Sequence, residues 1–155
     1  MRPRDRETGP FDGARHGVAR GLVGIGFAIE PPPATLDEAI IAVHARHGAK
    51  AGRMLASFAE KSPEGYVWTR TGEDEFRLGR ICGPWRYDDS PEARATGIRH
   101  VRAAEWLPEP FGTAETPAAV VETFARGGRN FQQTHDEEAE SVTDELWRRS
   151  GPVSP

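Results

Sequence analysis

The sequence predicts an α+β domain: a small antiparallel, barrel-like β-sheet with flanking helices. Three observations predict it. Short runs rich in β-branched and aromatic residues, separated by Gly- and Pro-bearing turns, fill the middle of the chain. Two Thr-x-x-Glu capping boxes, at Thr35 and Thr134, open helical patterns to either side of that region. The order is a strand, two helices, several strands, a helix, a short strand and a last helix, which suits an antiparallel sheet with helices at its ends.

The elements follow in order. Residues 1–20 are rich in Arg, Gly, Pro and Asp with almost no apolar pattern, and read as a disordered or loosely docked arm. Gly21 to Ile29 is a short apolar run that reads as a buried strand, ended by the triple proline Pro31 to Pro33. Thr35 and Glu38 then cap a helix with Leu36, Ala39, Ile40 and Val43 at helical spacing, stopped at Gly48. A second helix carries Ala51, Met54, Leu55 and Phe58 on one face and closes at Ser62-Pro63.

The centre is β. Tyr66 to Thr69 and Phe76 to Cys82 read as a hairpin about a turn at Gly72-Glu73-Asp74. Gly83-Pro84 interrupts the second strand, and Trp85-Arg86-Tyr87 continues it beyond a bulge. A polar loop with a helical turn at Ser90-Pro91-Glu92 leads to a strand over Ile98 to Trp106. Thr116-Pro117 starts a short helix with Val120, Val121 and Phe124 inward, and Asn130 to Gln133 reads as a final short strand. The last helix, 134–150, presents Ala139, Val142, Thr143 and Leu146 on one face and packs on the 21–133 domain, with Trp147 in the packing.

The chain has 155 residues, one domain's worth, and carries 24 acidic against 20 basic residues. Six of the acidic residues lie in the last 22 positions, where the dipole of the capped helix explains them, so the remainder balances at 18 against 18. All basic residues but Lys50 and Lys61 are arginine, the residue suited to bidentate phosphate and base-edge contacts; a GC-rich coding sequence produces the same bias. One cysteine, Cys82, allows no internal disulfide, no apolar run approaches the about 20 residues of a membrane span, and no secretory signal is apparent. The cytoplasm is the expected location, with no membrane partner.

Chemistry is sparse. A metal-dependent nuclease wants clustered carboxylates with a lysine two positions on. Here Gly48 precedes Lys50 at that spacing and Ala59 precedes Lys61. His44 and His47 share a helix but lack a third ligand at helical spacing, so they read as solvated histidines and no metal site is expected. Gly24-Ile25-Gly26 lacks the third glycine and the following helix of a phosphate loop, and reads as close packing of strand or ligand. No catalytic residue and no cofactor is assigned. The informative residues are aromatic: Phe27, Trp68, Trp85, Tyr87 and Trp106 lie in or beside strands, interleaved with Arg70, Arg80, Arg86 and Arg102. Alternation puts Trp68 with Tyr66 and Arg70, opposite Val67; with Val67 in the core, Trp68 lies on the more open face. Aromatic planes beside arginines suit a flipped base and its phosphates, although tryptophan is as readily a core residue.

From Gly24 to Gln133 the chain resembles the EVE-like branch of the PUA superfamily, as found at the N-terminus of Mrr-type restriction systems. The likeness rests on Gly24-Ile25-Gly26-Phe27, on the strand Tyr66-Val67-Trp68-Thr69-Arg70, and on the run from Leu78 through Gly83-Pro84 to Trp85-Arg86-Tyr87. It continues in His100 to Trp106 with Leu107, and in Phe131-Gln132. Phe27 stands where relatives often carry tryptophan. The resemblance implies a small barrel that holds a modified nucleobase in an aromatic pocket, without catalysis of its own. It assigns Phe27, Trp68, Trp85 and Tyr87 to the pocket walls and Arg70, Arg80, Arg86 and Arg129 to phosphates. Asn130, together with Arg129, would reach the base edge. The implied ligand is DNA carrying a modified base, a modified cytosine, with RNA as the alternative polymer; any cleavage would come from a nuclease or other effector partner. Two other readings stand beside it: a hydrolase of a small modified nucleoside, and a protein-interaction module using the acidic last helix.

Overall fold

The computed structural model describes residues 11–60, 65–126 and 137–150. Arg129, Asn130, the expected strand at 130–133 and the capping residue Thr134 lie outside the described residues. Among those described, five strands form an antiparallel sheet curled into a half-barrel, with helices on both sides. No described helix is long and apolar enough to cross a membrane.

The strands are β1 (Leu22–Ile25), β2 (Tyr66–Gly72), β3 (Glu75–Ile81), β4 (Arg86–Tyr87) and β5 (His100–Trp106). Their order is β1-β5-β3-β2, and β5 is the hub. One of its edges pairs with β1, Ile25 opposite His100. The other pairs first with β3, Ile81 opposite Ala104, and then with β4, Tyr87 opposite His100. β3 and β4 thus line one edge of one strand, with Cys82 N–H still donating to the Ala103 carbonyl at 2.9 Å, as the expected bulge at 83–84 requires. Phe76 and Phe111 exchange backbone hydrogen bonds of 2.8 Å, a bridge that the sequence did not signal.

The helices are α1 (Asp12–Arg20), α2 (Leu36–His47), α3 (Ala49–Glu60), α4 (Pro91–Thr96), α5 (Ala118–Ala125) and α6 (Glu137–Ser150). Thr35 Oγ1 accepts from Glu38 N–H at 3.1 Å, so α2 starts where its cap places it, and Gly48 ends it. Ser90 Oγ caps α4 in the same way, from Ala93 N–H at 3.1 Å.

Both faces of the sheet are covered. Against one lie α2 and α3, whose Ala39, Val43, Ala51, Leu55 and Phe58 pack on Val23, Ile25, Val67, Ile81 and Ala104. Met54, expected on that face, is exposed. Against the other lie α5 and α6, with Phe124 and Trp147 packed among Trp68, Phe76, Leu78 and Phe111.

Two expectations are corrected. Residues 12–20, assigned to a loose arm, form α1. Gly13 and Gly17 hide the pattern, being poor helix formers, but here they let the helix approach the sheet: a Cβ on Gly17 would stand 2.7 Å from the Leu22 carbonyl oxygen. Arg15 Nε donates to the Thr71 carbonyl at 2.9 Å and fixes the contact. The strand expected over 21–29 ends at Ile25, because Phe27 has φ 71°, a left-handed conformation incompatible with a strand.

A candidate aromatic site at one end of the half-barrel

Where β1 leaves the sheet, Phe27 is delivered beside the start of β5 and the end of α2. Left-handed backbone costs a phenylalanine about 1–2 kcal/mol, so something must hold it there. His100 does: its Nε2 stands 2.9 Å from the Phe27 carbonyl oxygen. The Phe27 ring meets the His47 ring with centroids 5.4 Å apart, and His47 Nε2 lies 3.1 Å from the Ala28 carbonyl. Arg46 donates to the Glu30 carbonyl and closes the same loop onto α2.

Trp85 and Tyr87 reach His100 from the opposite edge of β5. Trp85 Nε1 donates to His100 Nδ1 at 3.1 Å. Tyr87 sets its ring edge-on to the imidazole, centroids 5.0 Å apart. Its hydroxyl accepts from Ile29 N–H at 2.9 Å and donates to the Ile29 carbonyl at 3.2 Å, pinning the loop after β1 to β4. The Arg99 guanidinium lies 5.1 Å from the centroid of the Tyr87 ring, held by Asp89 at 2.6 Å. Phe27, Trp85 and Tyr87 are all half-buried, while His100 is 0 % exposed.

The protonation state of His100 follows from its partners. The Phe27 carbonyl can only accept, so Nε2 carries the hydrogen; the indole N–H can only donate, so Nδ1 is bare. Burial pushes the imidazole below its ordinary value of 6.5; the hydrogen bond to the Phe27 carbonyl opposes it, and the nearby Arg99 and His47 charges add to the lowering. The ring is therefore a neutral, single-tautomer connector between the two halves of the cluster.

The sheet brings together three of the four expected pocket walls and separates the fourth. Trp68 is 4 % exposed on the opposite face, with Nε1 donating to Thr143 Oγ1 of α6 at 3.0 Å and its ring edge-on to Phe111. The alternation was right, and Val67 does face a core; but Trp68 faces a second one, because α5 and α6 cover that side. Arg70 and Arg80 share the face and its fate. Arg70 lies over the Phe11 and Phe76 rings and bonds the Glu73 carbonyl at 2.7 Å, and Arg80 lies over Trp147. Of the expected phosphate contacts among the described residues, Arg86 is nearest in sequence to the aromatic cluster, exposed on β4 between Trp85 and Tyr87, but alternation along the strand turns it to the opposite face, where its charge acts on Asp88.

Arg102 is structural: 2 % exposed, it donates from Nε to the Gly83 carbonyl at 2.7 Å and from Nη1 to the Phe58 carbonyl at 3.1 Å, tying the bulge to the end of α3. Trp106 donates to the Leu22 carbonyl at 3.0 Å and lies over Gly79, where a Cβ would come within 2.6 Å of its ring. Gly24 is likewise a packing glycine, since a Cβ there would stand 2.2 Å from Ile98. His47 and His100 were not singled out as site residues. Alternating with Val101 and Ala103, His100 and Arg102 read as a solvent face, and only the tertiary packing reveals them as buried. Among the described residues no group of three metal-ligating side chains converges. Comparison with family models, with curated proteins and with solved structures finds no match to this chain.

Proposed function

We propose that this chain is a non-catalytic reader of a modified nucleobase, a modified cytosine in DNA, which it takes as an extruded base at the aromatic cluster. The observation that carries the reading is the convergence of Phe27, Trp85 and Tyr87, from separate segments, around one neutral histidine, with Arg86 exposed on the same short strand. Aromatic rings gathered on one face, with an exposed arginine on the opposite face of the same strand, supply elements that a flipped nucleotide needs, stacking for the base and positive charge nearby for its phosphates.

Magnitudes favour a binding site with a strong electrostatic part. Extrusion of a base costs a few kcal/mol, and stacking returns about 1–3 kcal/mol per base. Phosphate contacts must supply the remainder. Arg46 and Lys50, exposed on either side of the α2–α3 turn beside His47, whose ring meets Phe27, are the sources on this side, with Arg86 on the other face of β4. Binding through such contacts weakens steeply with salt. The apolar face of α6 is spent on Trp68 and Phe111, which weighs against that helix as a docking element.

The test is a fluorescence-anisotropy titration against matched duplexes, unmodified or carrying methylated, hydroxymethylated or glucosylated cytosine, at two salt concentrations. Tighter binding to one modified duplex, weakening with salt, is expected. Equal affinity for all of them overturns the reading.

A further inference from the structure

We propose that the Nδ1 lone pair of His100 reads the 4-position of a bound pyrimidine, selecting the amino N–H donor that cytosine carries there over the carbonyl that thymine carries at the same place. This rests on the reading of the cluster as a base site and deepens it.

Two independent contacts fix the acceptor. Nε2 is committed to the Phe27 carbonyl, and Nδ1 already receives an N–H, from Trp85. The Trp85 and His100 planes are within 26° of each other, with centroids 6.0 Å apart and the two nitrogens 3.1 Å apart. At that separation a hydrogen bond between the nitrogens places the rings edge to edge, as two bases pair, rather than face to face. The indole edge thus occupies the position that a donor-bearing base edge would take. Trp85 also sits where it can be displaced: it is half-buried, it lies in the bulge with Cys82 and Pro84 exposed, and the strand after it has only two residues. When a base enters, Trp85 leaves Nδ1 and becomes a wall beside it.

A carbonyl oxygen facing the bare Nδ1 sets two acceptors against each other in a buried place, leaving both unsatisfied. Burial keeps Nδ1 bare, aided by Arg99, the residue just before β5, and by His47 on α2; Asp89 of the loop before α4 pairs with Arg99, and the Tyr87 hydroxyl of β4 is committed to Ile29.

The experiment compares 5-methylcytosine with thymine, each placed opposite an abasic gap in one fluorescent duplex. The two bases share the 5-methyl group and differ along the pairing edge. At pH 8 the 5-methylcytosine duplex is expected to bind about tenfold more tightly, the cost of one mispaired buried acceptor. Trp85→Phe, which keeps a ring and removes the competing N–H, is expected to bind it more tightly still. On acidification the preference should fall in step with the titration of the His100 imidazole, followed by NMR in the same sample, because protonated Nδ1 becomes a donor. Equal binding of the two duplexes at pH 8, or a preference that survives protonation of His100, overturns this inference and leaves the base site standing. Failure of both duplexes to bind overturns it together with the site.

Discussion

His100 is hydrogen-bonded to the Trp85 indole and the Phe27 carbonyl and meets the Tyr87 ring edge-on, and its chemistry should be visible in stability as well as in binding. The unfolded chain has an imidazole near 6.5, while burial holds the folded one lower. Between those values the unfolded state binds more protons, so stability is complete above about pH 6.5 and declines as pH falls through the folded value. A urea midpoint measured from pH 8 to pH 5 is expected to drop on the acid side; a midpoint that rises as pH falls through this window contradicts the placement of His100. Little of this was legible at the residue scale. Phe27, Trp85 and Tyr87 stood out as aromatics near strand ends, but their meeting point did not, because a histidine alternating with valine and alanine has the pattern of an exposed face. Trp68 misled for the complementary reason: one buried neighbour, Val67, implies an open opposite face only when the sheet has a single covered side.

At the scale of elements, most boundaries were legible where a local signal set them. Thr35 and Ser90 cap their helices, Gly48 ends α2, and the bulge at Gly83 separates two strands that share β5 as partner. α1 was missed because its reason is tertiary. Two glycines that weaken the helix by about 1 kcal/mol each relative to alanine are what let it reach the sheet. The two effects oppose each other in Gly17→Ala, and the clash wins: the new Cβ would stand 2.7 Å from a backbone oxygen that cannot move aside. A loss of about 1–3 kcal/mol is expected in thermal or urea unfolding. Gly13→Ala meets the more pliable Ile98 side chain at 3.3 Å and should cost less. A Gly17→Ala variant more stable than the parent contradicts the docking of α1.

Over the whole molecule, the half-barrel carries two cores and divides its aromatics between them. Trp68, Tyr66 and Trp147 belong to the layer under α5 and α6; Trp85, Tyr87 and Phe27 lie half-buried against the core under α2 and α3. The fold class was legible from the order of elements, but the division was not, since it depends on which helix covers which face. It sets one end of the sheet, the end proposed here to take a ligand, apart from the packed remainder. The most direct test is the affinity of Trp85→Ala and Trp68→Phe for the tightest-binding duplex, each variant checked for folding by circular dichroism. Trp85→Ala should weaken binding by about tenfold or more, the worth of one stacked base, while Trp68→Phe, which loses the bond to Thr143 and part of the buried ring in the other core, should bind as the parent does. Loss of binding in Trp68→Phe with Trp85→Ala unaffected would place the ligand on the other face and contradict the aromatic site.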